Sequence, residues 1–188
     1  MVIEITTLWL PILAAAVLVF VTSSIIHMFM KYHQNDYSRL PDEDRVMDAL
    51  RAFNIPPGDY VFPYAGGMEV MKSEAFQQKV AKGPIAFITV LRPGQVFSMG
   101  PQLIQWFAFS LLVGIVSAYL AGRMLTSGAE YLQVFRITGT VAFACYSMAL
   151  MQRSIWFSQN WASTLRSMLD GLVYAVLTAG VFGWLWPS

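Results

Sequence analysis

Charge, cysteine and histidine are all scarce in this sequence, and each shortage excludes something. Only 12% of the 188 residues are charged, against about 25% in soluble domains, so the composition does not fit a water-soluble globular chain. The single cysteine, Cys145, excludes an intrachain disulfide and argues against a cysteine-based metal site. The two histidines exclude a histidine-rich metal box, and a formal net charge of +1 gives no indication of a nucleic-acid partner.

The few charged residues are concentrated in one part of the chain. Eight of the twelve Lys and Arg residues lie between Lys31 and Arg92, and eight of the eleven Asp and Glu residues lie between Asp36 and Glu74. The rest of the chain is nearly free of charge, and 56% of all residues are hydrophobic. This distribution predicts a membrane protein with one polar segment.

Four apolar stretches are long enough to cross a bilayer, whose core of about 30 Å requires roughly 20 residues of helix. They are Leu8 to Met30, Pro101 to Ala121, Tyr131 to Met151 and Ser167 to Trp186. The first stretch exceeds the roughly 7–15 apolar residues of a signal peptide and has no positive region before it, so we predict a retained anchor. The predicted fold class is an all-α membrane protein of four transmembrane helices, with a small α/β cytoplasmic domain inserted between helices 1 and 2.

Basic residues near the predicted spans indicate the orientation, because Lys and Arg are enriched in cytoplasmic loops. Eight of them lie between the first and second spans. We therefore predict transmembrane helix 1 in residues 1–30 with the N-terminus outside, a cytoplasmic domain in residues 31–100, and helices 2 to 4 in residues 101–188 with the C-terminus outside. The compact architecture suggests a bacterial inner membrane protein.

The predicted cytoplasmic domain contains signals for four elements in the order α-β-α-β. A helix is expected over residues 42–53, a short strand over 60–62, a second helix over 73–80 and a buried strand over 85–91. Because about 70 residues are marginal for an independent core, we expect this domain to pack on the membrane surface or on a copy of itself.

Small residues recur at every fourth position in the second and fourth spans, which is typical of close helix packing in lipid. The two stripes are Ser110, Gly114, Ala118 and Gly122, and Gly171, Ala175, Ala179 and Gly183. The spacing leaves open whether each stripe packs inside the chain or against another subunit.

Asp170 is the acidic residue of the fourth predicted span, and Arg166 precedes it by four residues. The carboxylate could handle protons or cations, since ionisable groups in spans are costly and frequently functional. The favoured interpretation is an interfacial ion pair with Arg166 or Arg153 that fastens the third span to the fourth. Arg136, near the outer end of the third span, has two similar interpretations, as a side chain that reaches the headgroups or as a contact for an anion.

His27, near the inner end of the first span, could relay protons or ligate a metal or pigment, because imidazole titrates near neutrality. We expect an interfacial histidine, and predict no cofactor beyond a possible single-histidine ligand for haem or a pigment. The only other histidine, His33, follows too closely on the same segment to face it from another helix, so a pair of histidine ligands would have to form across a dimer.

Three classes of function remain open after this reading. The favoured one is a non-enzymatic accessory or structural subunit, or assembly factor, of a membrane complex, whose partners are the lipid bilayer and other membrane subunits or copies of itself. The alternatives are a homo-oligomeric channel or transporter for a small solute or ion, and a redox or pigment-binding subunit using His27. No catalytic motif is present, and the low density of charge in the spans sets this order.

Overall fold

The computed structural model describes residues 3–95 and 98–188. Positions 1, 2, 96 and 97, which fall inside the predicted segments 1–30 and 31–100, lie outside the described residues. Four helices are long and apolar enough to cross a membrane: Ile5–Phe29, Gly100–Met124, Tyr131–Phe157 and Trp161–Trp184. The prediction of an all-α fold with four such helices is confirmed.

The regular elements of the described chain follow one another in a simple order. They are α1 (Trp9–Phe29), α2 (Glu43–Arg51), β1 (Gly58–Phe62), α3 (Met68–Lys72), α4 (Glu74–Lys82), β2 (Ala86–Val90), α5 (Gly100–Met124), α6 (Tyr131–Ser147), α7 (Met151–Phe157) and α8 (Trp161–Trp184). Short 3-10 turns at Ile5–Leu8 and Met148–Leu150 extend α1 and join α6 to α7. The chain divides into a helical unit, residues 1–38 with 100–188, and a smaller unit, residues 39–99.

The helical unit is a bundle in which α1 packs against α5 and α8, and α6 packs against the same two helices. One buried cluster lies around Val19, Val113, Tyr146 and Tyr174, and a second lies around Leu8, Ile12, Ala118, Val134 and Phe182. Many side chains on the outer faces of these helices are apolar and exposed. Such a surface is compatible with a hydrocarbon environment, because lipid tails are as apolar as these side chains.

The turn between the third and fourth long helices is much shorter than predicted. The sequence suggested a connection from Arg153 to Arg166, but α7 continues to Phe157 and α8 begins at Trp161. Asn160 starts α8 because its side-chain oxygen accepts a hydrogen bond of 2.9 Å from the Ala162 amide. Arg166 therefore lies inside α8, one turn before Asp170.

The smaller unit contains the predicted order of elements with one addition, the short helix α3. β1 and β2 pair antiparallel, with Gly58 opposite Val90 and Phe62 opposite Ala86. Ser73 caps α4 through a 3.2 Å bond from the Phe76 amide.

The prediction of a buried strand over residues 85–91 is wrong. The strand exists as β2, but its residues alternate between half-buried and exposed, because a sheet of two strands gives little cover.

Candidate functional site

The chain reverses direction immediately after α1, and this brings its two histidines together. Met30 leaves the helical conformation with φ −88° and ψ 121°, and a 3-10 turn follows over Lys31–His33. His33 consequently lies on His27, with ring centroids 5.0 Å apart and ring planes 8° apart. The prediction that these two histidines would not face each other did not anticipate this reversal, because their spacing along one segment gives no sign of it.

Asp170 of α8 meets this reversed segment and is almost completely buried, with 4% of its surface exposed. Its Oδ2 lies 2.7 Å from Nε2 of His33, and its Oδ1 accepts a hydrogen bond from the Tyr32 hydroxyl. These partners differ from Arg166 and Arg153, which the sequence suggested. Asp170 therefore fastens α8 to the end of α1 rather than to the third span.

Asp36 completes the cluster from the other side of the His33 ring. Its Oδ2 lies 2.6 Å from Nδ1 of His33, and its Oδ1 lies 3.3 Å from Nε of Arg166. Arg166 also donates a hydrogen bond of 3.0 Å to the Tyr32 carbonyl oxygen. The guanidinium thus holds the segment after α1 in position and neutralises part of the negative charge of the two carboxylates.

Burial and hydrogen bonding shift the pKa values of the groups on this segment. Burial alone would lower the pKa of His33, but the hydrogen bonds to Asp36 and Asp170 outweigh it and raise that pKa above the ordinary imidazole value. For Asp36, burial opposes ionisation, yet the hydrogen bond and charge of His33, together with Arg166, hold the pKa below its usual value. The pKa of Tyr32 is raised by burial and by its bond to Asp170, so this phenol keeps its proton.

Three side chains of the cluster offer donor atoms of the kind that bind metal ions. One atom each from His27, His33 and Asp170 lie within 4.8 Å of one another. His27 is exposed and His33 half-buried, so the cluster is open on the side of the histidines. Chemically, this arrangement can pass a proton between an imidazole and a carboxylate or hold a cation.

The chain matches no family model, no curated protein and no solved structure. The chemistry of the site therefore rests on its own residues and their geometry.

The other polar residues that the sequence singled out do not join the cluster. Arg153 is exposed near the turn into α8. Arg136 is exposed and lines a groove of about 350 Å³ between α6 and α8, together with Gly139 and Thr140. This open groove does not decide whether the Arg136 side chain reaches the lipid headgroups or contacts an anion.

The small-residue stripes pack inside the chain. A Cβ added at Gly114 would lie 3.3 Å from the Ile12 side chain of α1, and one at Gly122 would lie 3.0 Å from the Ile3 carbonyl oxygen. The other members of the α5 stripe, Ser110 and Ala118, are also buried.

The stripe of α8 faces α6. A Cβ at Gly171 would overlap Ser147, and one at Gly183 would lie 2.6 Å from the Tyr131 ring. The Ala179 side chain lies 3.0 Å from the Cβ position of Gly139, and Ala175 is buried beside it. Both stripes are therefore occupied by contacts within the chain and are not free for a partner subunit.

Two members of the cluster, Tyr32 and Asp36, were not predicted from the sequence, and His33 was considered but set aside. The available signal was the i, i+3 spacing of His33 and Asp36 directly after a span, which suits a turn held by its own side chains. The contacts of Tyr32 and His33 with Asp170, and of Asp36 with Arg166, join positions 130 or more residues apart and have no counterpart in local pattern.

Proposed function

We propose that this chain is an integral protein of a bacterial inner membrane that acts as a non-enzymatic accessory subunit or assembly factor, with residues 39–99 in the cytoplasm. The proposal depends on one observation. No residue of the smaller unit that the structure describes, 39–95 and 98–99, is buried. A two-stranded sheet with three short helices and no buried core is marginal by itself in water, so another surface has to cover it.

The surface that needs cover is apolar and concave. A groove of about 470 Å³ lies between α2 and the sheet. It is lined by Leu50, Phe53, Ile55, Tyr60, Val61, Phe62 and Ile88. Phe53 at its rim leaves 74% of its surface exposed, and such aromatic side chains are the usual anchors of protein interfaces.

Charge favours a protein as the occupant of this groove over the lipid surface. Residues 39–99 contain seven Lys and Arg and seven Asp and Glu, and so have no net charge. Each basic residue near an anionic membrane surface contributes about 1 kcal/mol to binding. Acidic neighbours cancel this attraction. We therefore propose that an apolar segment of another membrane protein, on its cytoplasmic side, fills the groove.

The test is purification of the tagged chain in mild detergent, followed by mass determination. A partner present at a fixed ratio to the chain is expected, and Phe53→Asp should remove it. Tyr64→Asp is the matched control, because Tyr64 is 76% exposed and does not line the groove. Recovery of the chain alone, or retention of the same partner by Phe53→Asp, would contradict the proposal.

A photo-crosslinking side chain at position 53 provides a second measurement that does not require the Asp variant to fold. It should attach covalently to one protein, whereas adducts with lipid or with a second copy of the chain would overturn the choice of partner. Solute or ion flux through liposomes containing the purified chain would instead favour a channel or transporter.

Orientation is tested by labelling single cysteines in a Cys145→Ser background. A reagent that cannot cross membranes should modify Ser127→Cys in intact cells and modify Lys79→Cys only after lysis. The opposite pattern would reverse the topology and place the groove outside the cell.

A further inference from the structure

We propose that His27, His33 and Asp170 form a binding site for one divalent transition-metal ion of the Zn²⁺ or Fe²⁺ type. The site lies wholly within the helical unit, so the inference does not depend on the partner proposed for residues 39–99.

The distances between the donor atoms of the three residues suit a shared ion after small movements of the side chains. Donor atoms that bind one ion at about 2.0–2.2 Å lie roughly 3 to 4 Å apart. In the structure one atom from each of the three residues lies within 4.8 Å of the others. His33 Nε2 and Asp170 Oδ2 are hydrogen-bonded at 2.7 Å, so these two atoms have to move slightly apart to admit the ion. Because His27 is exposed in the last turn of α1, its ring can tilt out of the stack on His33 while Nδ1 keeps its contact with the Ser23 carbonyl oxygen.

Hydrogen bonding to His27 selects the form of this ring that binds metals. Its Nδ1 lies 2.9 Å from the Ser23 carbonyl oxygen. A carbonyl oxygen only accepts, so Nδ1 carries the proton and the lone pair of a neutral ring is left on Nε2. A backbone carbonyl that orients a ligating histidine in this way is a recurrent feature of metal sites.

Each of the other two ligands is oriented in the same manner by a neighbour. The Asp36 carboxylate accepts from Nδ1 of His33 at 2.6 Å, which directs Nε2 toward Asp170 and makes the ring a stronger donor. Tyr32 donates to Oδ1 of Asp170, so Oδ2 is the oxygen left for an ion. Each of the three ligands is therefore oriented by a hydrogen bond to a different neighbouring residue, which an ion pair between His33 and Asp170 alone would not require.

The donor set indicates the class of ion. Two imidazoles and one carboxylate with further positions open match catalytic zinc sites and non-haem iron(II) sites, whereas Mg²⁺ and Ca²⁺ prefer oxygen donors throughout. The proton that His33 Nε2 shares with Asp170 leaves when the ion enters, since a metal ligand has to present a lone pair.

The experiment uses the full chain in mild detergent with an affinity tag free of histidine, treated with a chelator and then dialysed. Titration with Co²⁺ should give visible absorption bands that saturate at one ion per chain, and Zn²⁺ should displace them. Anaerobic titration with Fe²⁺ in competition with Zn²⁺ shows which of these two ions the site prefers. Mg²⁺ should leave the Co²⁺ absorption bands unchanged.

Variants decide whether these residues are the ligands. His27→Ala and His33→Ala should each weaken Co²⁺ binding by more than 100-fold, and Asp36→Asn should weaken it about 10- to 100-fold by releasing the His33 ring. Asp42→Asn is the matched control, since this exposed carboxylate lies outside the cluster, and it should bind as the unaltered chain does. His27 is exposed, so its loss leaves the bundle folded even where Asp170→Asn does not.

Two results would overturn the assignment. One is the absence of saturable Co²⁺ and Zn²⁺ binding by the folded chain at micromolar to millimolar ion concentrations. The other is unchanged stoichiometric binding by both histidine variants, which would place the ion elsewhere.

Discussion

Replacement of Gly171 by alanine tests the close approach of α6 and α8 at the level of the polar cluster. The added methyl would overlap the Ser147 hydroxyl and lie 3.2 Å from Cβ of Tyr146 and 3.3 Å from Cβ of Ser147. The Ser147 hydroxyl also donates a bond of 3.2 Å to the Met168 carbonyl oxygen of α8. Making room for the methyl therefore requires a side-chain rotation that gives up an interhelical hydrogen bond.

The magnitude follows from three contributions. Overpacking of a well-filled core costs about 1–3 kcal/mol, and the lost hydrogen bond adds about 1 kcal/mol. Alanine in place of glycine in a helix returns about 1 kcal/mol. The net destabilisation is about 1–3 kcal/mol, which corresponds to a fall of roughly 2 to 12 °C in melting temperature for a chain of this size.

Gly180→Ala on the same helix is the control, because its Cβ would have Tyr131 as its nearest neighbour at an ordinary 3.7 Å. This variant should melt at the same temperature or slightly higher, since only the helix propensity changes. Thermal unfolding in mild detergent, followed by circular dichroism, measures both. Gly171→Ala with Ser147→Ala should recover part of the loss by removing the overlapping hydroxyl. Equal melting temperatures for the two single glycine variants would refute the packing of α6 on α8 described above.

Two interhelical hydrogen bonds give further expectations by the same assay. Ser23→Ala removes the acceptor of the 2.8 Å bond from the Trp106 indole and should cost about 1 kcal/mol; Ser24→Ala, whose hydroxyl bonds only within α1, should cost less, and equal losses would argue against the Trp106 contact. Thr164→Val leaves the Ser154 hydroxyl, buried 2.6 Å away, without its partner and should cost about 1–2 kcal/mol. The double variant with Ser154→Ala should recover part of this loss, and purely additive effects would contradict the pairing.

The cluster connects α8 to the segment after α1, and it does so whether or not an ion is bound. Asp170 and Arg166 on α8 hold the segment that follows α1, through His33 and Asp36 respectively. Breaking a buried charge pair by removing one partner is strongly destabilising, about 3–5 kcal/mol. The exposed His27 belongs to neither pair, so His27→Ala is the variant whose effect on ion binding is least affected by a loss of stability.

Local pattern was sufficient for the elements of the smaller unit but not for its burial. The predicted start of the second helix at Ser73 agrees with the N-cap of α4, because capping depends on neighbours in sequence. The apolar residues of β2 predicted a buried strand, but burial requires a second layer that the described residues of the smaller unit, 39–95 and 98–99, do not provide. An apolar pattern that indicates a core in a larger domain here leaves side chains that are half-buried or exposed.

Sequence by itself determined the four long helices, because the length and apolarity needed to cross a bilayer are properties of continuous residues. It also located the small-residue stripes, since a four-residue spacing places side chains on one helix face. Tertiary structure alone decided that both stripes pack inside the chain, that Tyr32 and His33 meet Asp170, and that Asp36 meets Arg166. The reason is physical: the reversal after Met30 and the order of helices around the bundle join residues that are far apart along the chain, and no local periodicity carries that information.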